Sequence, residues 1–238
     1  MLLAAIAIGL LSALLVNYLA DVLPTERRLT APAWWPLTAQ AVGEYIHSPR
    51  KFVVHIALLL ASIHIFQNPP RDFSPYLLAF VLAYFTLVAV IDIEHRLVLH
   101  PVSIFGALAL GALGAWRHGL LPTLAGGAAG FLLMLGLYFS GELIGRLLAR
   151  LRKQAWQETA LGFGDVNLAG VIGLLMGWPA VMPALFAGVL LAGMYSLVFV
   201  FVSLLRGRYS MFASIPYAPF LCAGAVLVVL LGVYNVAL

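Results

Sequence analysis

The chain has 238 residues, of which 63% are hydrophobic and only 9% charged, and its mean hydropathy is +1.05. About a quarter of the residues are charged in a typical soluble domain. The composition therefore excludes an ordinary soluble protein and predicts an all-α polytopic membrane protein. The formal net charge of +4 would suggest nucleic-acid binding in a soluble chain. Here we attribute it to membrane topology and expect no nucleic-acid partner.

Apolar runs separated by turn residues predict about eight transmembrane helices. In chain order they cover residues 2–23, 52–67, 75–93, 101–116, 122–146, 165–178, 180–205 and 211–236. The first run has no basic segment before it, so we interpret it as a retained helix rather than a signal peptide. The second, fourth and sixth runs are short for a bilayer-spanning helix. Gly126 and Gly130 have the small-residue spacing that lets helices approach closely.

The basic residues predict the orientation of these helices. Only Arg71 and Arg117 fall in even-numbered connections. The other eleven of the thirteen Lys and Arg residues fall in odd-numbered ones: Arg27, Arg28, Arg50, Lys51, Arg96, Arg146, Arg150, Arg152, Lys153, Arg206 and Arg208. Cytoplasmic loops carry the excess of basic residues. The pattern therefore predicts that both termini lie outside and that the loops 24–51 and 147–164 are cytoplasmic.

The nine acidic residues are few enough to consider one by one. Four lie in predicted loops, where we expect solvation: Glu26, Glu44, Asp72 and Glu158. Five lie within or beside apolar runs, where an ionisable group is costly unless it has a partner or a function: Asp21, Asp92, Glu94, Glu142 and Asp165. We interpret Asp21 and Glu142 as residues that close polar contacts between helices.

Asp92 and Asp165 are the candidate catalytic residues. Asp92 lies at the cytoplasmic end of the third predicted helix and Asp165 at the cytoplasmic start of the sixth, so the topology assigns both to the same face. Two neighbouring carboxyl groups share a proton, and one can activate water while the other polarises a peptide carbonyl. Gly162 and Gly164 precede Asp165. They remove side-chain bulk and are expected to let the loop adopt unusual backbone angles near an extended substrate.

The segments around both aspartates resemble motifs of the bacterial type IV prepilin peptidases, which are GxGD-type aspartic peptidases. Residues 89–95, Ala-Val-Ile-Asp-Ile-Glu-His, resemble the first aspartate motif of that family. Residues 161–168, Leu-Gly-Phe-Gly-Asp-Val-Asn-Leu, resemble the second. Residues 215–220, Ile-Pro-Tyr-Ala-Pro-Phe, resemble a proline-containing segment near its C-terminus. Asp92 and Asp165 match the catalytic positions of the family.

This resemblance implies a peptidase that cleaves the leaders of prepilins or pseudopilins at the cytoplasmic face of the inner membrane, in type IV pilus or type II secretion systems. It implies two N-terminal helices with a cytoplasmic loop in residues 1–74 and a six-helix peptidase core in residues 75–238. The expected partners are the substrate and membrane lipid, and the sequence predicts no oligomeric state. Cleavage would use no metal.

Two departures from the family pattern qualify these expectations. Leu99 and His100 stand where members often have proline and then an acidic or amide residue, and Pro101 follows. Bifunctional members hold zinc with paired Cys motifs in the first loop, but residues 24–51 contain no cysteine. We therefore expect no zinc, and S-adenosylmethionine only if the chain also methylates its product. Glu94 is a supporting residue that could orient Arg96, tune Asp92 or cap its helix.

Other function classes explain fewer of these features. A small transporter also carries membrane carboxylates, but the candidate aspartates are assigned to one face rather than the bilayer centre. A noncatalytic assembly component would leave both aspartate motifs without a task. The six histidines are dispersed and predict no metal site. Ser140 and Ser214 have no identifiable base nearby, which disfavours a serine peptidase.

Overall fold

The computed structural model describes residues 1–26, 45, 47–70, 73–152, 162–207 and 216–231. These residues form eight helices: α1 (Leu2–Glu26), α2 (Pro49–Gln67), α3 (Pro75–His95), α4 (His100–His118), α5 (Leu120–Arg152), α6 (Phe163–Met176), α7 (Val181–Leu205) and α8 (Ala218–Leu231). Five are long and apolar enough to cross a membrane, namely α1, α2, α3, α5 and α7. The chain is therefore an all-α, multi-pass membrane protein.

The chain forms two compact units, Met1–His95 and Arg96–Leu238. In the first unit, α1, α2 and α3 all pack against one another. Ion pairs join Asp21 near the end of α1, Arg50 at the start of α2 and Glu94 at the end of α3. Neighbouring helices therefore run in opposite directions, as the predicted alternation requires. The predicted domain division between residues 74 and 75 stays a prediction.

In the second unit, α6 contacts each of the helices α4, α5, α7 and α8. Glycines make its closest approach to α5 possible. A Cβ on Gly126 would lie 2.5 Å from the carbonyl oxygen of Gly173, and one on Gly130 would lie 2.4 Å from that of Ala169. Real carbon atoms do not approach so closely, so side chains there would force the helices apart. The prediction that Gly126 and Gly130 serve helix packing is confirmed.

Several helix ends differ from the predicted ones. Helix α2 begins at Pro49 rather than residue 52, because a first-turn proline needs no partner for its missing N–H. Helix α5 runs to Arg152 rather than residue 146, because its Leu-, Ala- and Arg-rich end favours helix. Residues 147–152 and 163–164 of the predicted loop 147–164 are therefore helical. Residues 27–44 and 46 of the first predicted cytoplasmic loop and residues 153–161 of the second lie outside the described part of the chain.

The start of the last helix was predicted too early. Pro216 and Tyr217 are not helical, and α8 begins at Ala218. Pro219 occupies its first turn, where a proline costs no helix hydrogen bond. The predicted helical residues 211–215 and 232–236 lie outside the described part of the chain.

Candidate active site

Asp92 occupies the last turn of α3 and is buried, with 5% of its surface exposed. The helix ends three residues later, and Arg96 follows in the left-handed region at a φ of 54°. A left-handed residue just after a helix is a common way to stop it. The end of α3 thus holds an acidic side chain in a buried position immediately before the chain changes direction.

Asp165 is the third residue of α6 and is also buried, with 7% of its surface exposed. Its backbone N–H donates to the carbonyl oxygen of Gly162 at 3.1 Å. In return, the N–H of Gly162 donates to Oδ2 of Asp165 at 3.2 Å. The carboxylate therefore caps the N-terminus of its own helix, where a negative charge is favourable. This reciprocal bonding fixes the direction of the side chain.

The two motif glycines do not provide unusual backbone angles, and the relevant property is the room left by the missing side chain. Gly162 has an ordinary extended conformation, with φ −76° and ψ 143°, and Gly164 is a helical residue without positive φ. The expectation of unusual backbone angles is therefore wrong. A Cβ on Gly164 would lie 2.7 Å from the Cβ of Val98. Gly164 is needed because the α3–α4 connection packs directly on the first turn of α6.

Glu94 pairs with Arg50, a partner that none of the three predicted roles included. Nη1 of Arg50 lies 2.7 Å from Oε2 of Glu94, and the other end of the guanidinium pairs with Asp21. Lys51 adds a second contact to Asp21, at 2.9 Å. The prediction that Asp21 closes a contact between helices is confirmed. Arg50 had been counted only as a basic loop residue.

Glu142 does not close a contact between helices in the way that was predicted. It pairs with Arg146 one turn further along the same helix, α5. Two residues four apart lie on the same helix face, so this pair forms locally. Among the described residues, Glu142 therefore does not tie α5 to another helix.

Tyr217 is a residue near the site to which the sequence assigned no role. It immediately precedes α8, and its carbonyl oxygen accepts hydrogen bonds from the first turn of that helix. Burial, together with the negative charge of Asp165, raises the pKa of Tyr217 to about 12. The phenol is therefore neutral at physiological pH and lies within the electrostatic reach of Asp165. In the sequence, only its position between Pro216 and Pro219 could have marked Tyr217 as a candidate site residue.

One cavity in the second unit lies away from Asp165. It measures about 460 Å³ and lies between α4, α5 and α6, with Asn167, Gly170 and Leu174 contributed by α6. Successive helical residues are turned by about 100°, so these three lie on the face of α6 opposite Asp165. The cavity is therefore not part of the candidate site.

No three His, Cys, Asp or Glu side chains lie together as a possible metal site in the ranges that the structure describes. Two of the histidines have protein partners instead. His55 contacts Asn17 and the carbonyl oxygen of Lys51, and His118 contacts the carbonyl oxygen of Leu175 at 3.1 Å.

Comparison with known proteins points to one family. The model of the type IV leader peptidase family matches residues 78–197, which include both candidate aspartates. A prepilin leader peptidase/N-methyltransferase of Bacillus subtilis (strain 168) is 30% identical over 152 residues. That similarity covers 61% of this chain and 52% of the relative, so the chain spans about half the length of the curated relative. No solved structure matches the chain significantly.

Proposed function

The chain belongs to the type IV leader peptidase family, and we propose that it cleaves the leader peptide of prepilins or prepilin-like proteins with Asp92 and Asp165 as the catalytic pair. The observation that carries the proposal is the setting of these two carboxyl groups. Each is buried near one end of a mostly apolar helix, and each lies within the segment that matches the family. An acidic group is costly in such a setting and is retained there for a function.

The proposed chemistry is hydrolysis by a shared-proton carboxyl pair. One carboxylate removes a proton from water, which attacks the scissile carbonyl, while the protonated partner donates a hydrogen bond to the carbonyl oxygen. The amine then leaves with a proton from the pair. Two close carboxyl groups resist ionising together, so they exist as one acid and one base over a range of pH. Either aspartate can start as the base.

The proposed reaction takes place at the cytoplasmic face of the inner membrane. The excess of basic residues in the odd-numbered connections supports that side for both aspartates. The substrate would present its basic leader to the cytoplasm and leave its apolar helix in the lipid beside the enzyme. Prepilins and pseudopilins have this form, and we propose them as the substrate class.

Cleavage by this pair requires no metal or cofactor, and we propose none. Methyl transfer to the new N-terminus would be a separate activity and would require S-adenosylmethionine. The relative from Bacillus subtilis carries both activities in its name, whereas loop 24–51 of this chain contains no cysteine. The mass of the processed product, with and without added S-adenosylmethionine, separates cleavage from cleavage followed by methylation.

The test is cleavage of a prepilin by the full chain in lipid vesicles. Asp92→Asn and Asp165→Asn each remove the ability to exchange a proton while keeping side-chain size. Each is expected to lower the rate by roughly 10²- to 10⁴-fold or more. Glu142→Gln is the matched control, since Glu142 is an acidic residue of α5 that pairs locally with Arg146. It should keep the wild-type rate.

Size-exclusion profiles and melting temperatures should show that both aspartate variants remain folded. A folded variant of either aspartate with the wild-type rate would contradict the catalytic pair. A wild-type protein that fails to shorten any prepilin would contradict the proposed activity itself.

A further inference from the structure

The side chain of Arg50 joins the ends of three helices in the first unit. Arg50 belongs to the first turn of α2. One end of its guanidinium pairs with Asp21 of α1, and the other lies 2.7 Å from the carboxylate of Glu94 on α3. Lys51 also contacts Asp21, at 2.9 Å. Two cations and two carboxylates therefore form one neutral cluster, in which Arg50 alone reaches both neighbouring helices.

This cluster is shielded enough from solvent to keep its side chains in a defined arrangement. The Arg50 side chain is only 18% exposed, and those of Asp21 and Glu94 about one third. Fully exposed ion pairs contribute little, but a guanidinium that forks between two partly buried carboxylates has a defined orientation. Removing it would leave two like charges close together without their common partner.

The cluster fixes the part of α3 that carries Asp92. Glu94 follows Asp92 by two residues, which turns the two side chains about 200° apart around the helix axis. When Arg50 holds Glu94 on one side of α3, it therefore sets the direction in which Asp92 points on the other side. The helix stops at His95, so few further helical bonds hold this last turn in place.

We propose that Arg50 is a positioning residue for Asp92, acting through its ion pairs with Glu94 and Asp21. The inference rests on the proposed function, because it requires Asp92 to be a catalytic group. Arg50 lies outside residues 78–197, the segment that matches the family. The N-terminal unit would then serve the reaction directly rather than only anchoring the chain in the membrane.

The test compares Arg50→Gln with Arg146→Gln in the full chain, reconstituted in vesicles with a prepilin as substrate. Arg146 also forms an ion pair with a glutamate, but both residues lie on one helix. A small displacement of a catalytic group lowers kcat by roughly tenfold to a hundredfold. We expect that loss for Arg50→Gln with KM within about twofold of wild type, since no substrate contact is removed. Arg146→Gln should leave both constants unchanged.

Two further variants separate positioning from general destabilisation. Arg50→Lys keeps one charge but lacks the fork, so its kcat should lie between those of Arg50→Gln and wild type. In Arg50→Gln, Glu94 has already lost its partner. The double variant with Glu94→Gln should therefore be no slower than Arg50→Gln alone. The rate of each variant is divided by its folded fraction, which is measured by size-exclusion chromatography.

Wild-type kcat in folded Arg50→Gln would overturn the positioning role, and so would a change confined to KM. Additive losses in the double variant would also contradict it. If the wild type cleaves and Asp92→Asn does not, any of these results removes only the inference. If Asp92→Asn cleaves at the wild-type rate, the proposed catalytic pair fails, and the inference fails with it.

Discussion

The electrostatic surroundings of Asp165 extend to a residue that is distant in sequence. Tyr217, some fifty positions later, is half-buried, and burial together with the negative charge of Asp165 raises its pKa to about 12. Both causes favour the neutral phenol. The phenol of Tyr217 therefore stays neutral at working pH, and its pKa depends in part on the charge of Asp165.

Spectrophotometric titration of the tyrosines tests this coupling. The tyrosinate absorbance of wild type minus that of Tyr217→Phe should titrate with a pKa of about 12 rather than the ordinary value near 10. Asp165→Asn removes one cause of the shift and should lower the pKa of Tyr217. The folded state holds this proton more tightly than the unfolded state does. The stability from Tyr217 is thus fully present below about pH 10 and lost as the pH rises through about 12.

A difference spectrum that titrates at the ordinary tyrosine value would contradict the burial of Tyr217. A difference spectrum unchanged by Asp165→Asn would contradict its proximity to that charge.

Residues whose type is unusual for their surroundings could be predicted from the sequence, and residues of an ordinary type could not. Asp92 and Asp165 stand out because carboxyl groups are rare in apolar helices. Arg50 looks like any basic residue at a membrane boundary, and only the structure shows that it pairs with two carboxylates from other helices. Glu142 was assigned the wrong kind of partner, because periodicity places a side chain on a helix face but does not identify its neighbour.

The helices follow from apolar patterning, whereas their ends depend on local backbone chemistry. All eight helices lie close to where the apolar runs predict them. The largest differences concern α5, which continues past its apolar part, and α8, which begins only at Ala218. A run of apolar residues indicates a segment that is buried in lipid or protein. A helix can extend beyond that segment or end before the segment does. Patterning therefore predicts the number of helices better than their ends.

The packing of the α3–α4 connection on α6 makes Gly164 sensitive to substitution. In Gly164→Ala, the new Cβ would lie 2.7 Å from that of Val98. Such overpacking costs about 1–3 kcal/mol, which the better helix propensity of alanine offsets only in part. We expect a lower melting temperature in detergent and slower cleavage, because Asp165 is the next residue.

Gly136→Ala in α5 is the matched control for this variant. Among the described residues nothing lies within 4 Å of a Cβ at Gly136, so alanine should leave stability unchanged or raise it by up to about 1 kcal/mol. Equal melting temperatures for the two variants would contradict the close contact between Val98 and Gly164.

Within each unit, the helix directions that the contacts establish agree with the alternation that the basic residues predict. Ion pairs at one end of α1, α2 and α3 require alternating directions in the first unit. In the second unit, the N–H of Trp178 after α6 donates to the carbonyl oxygen of Pro122 at the start of α5, at 2.9 Å. The end of α6 thus lies beside the start of α5, as the predicted alternation requires. The side of the membrane on which each end lies stays a prediction from charge.

Cysteine labelling tests that orientation. Cys222 is the sole cysteine and is 4% exposed, so Cys222→Ala gives a clean background. Trp178→Cys should react with a membrane-impermeant maleimide in intact spheroplasts, because it is exposed in a predicted external connection. Arg206→Cys, exposed in a predicted cytoplasmic connection, should react only after permeabilisation. The reverse pattern would invert the topology and contradict a cytoplasmic active site.

The bond between Oδ2 of Asp165 and the N–H of Gly162 makes one side chain both the proposed acid–base group and the cap of α6. A carboxylate accepts a hydrogen bond more strongly than a neutral carboxyl group does. Each proton that Asp165 takes up therefore weakens the cap of its own helix, and each proton that it releases strengthens the cap again. Turnover would be accompanied by a cycle of loosening and tightening at the start of α6, the helix that every other helix of its unit contacts.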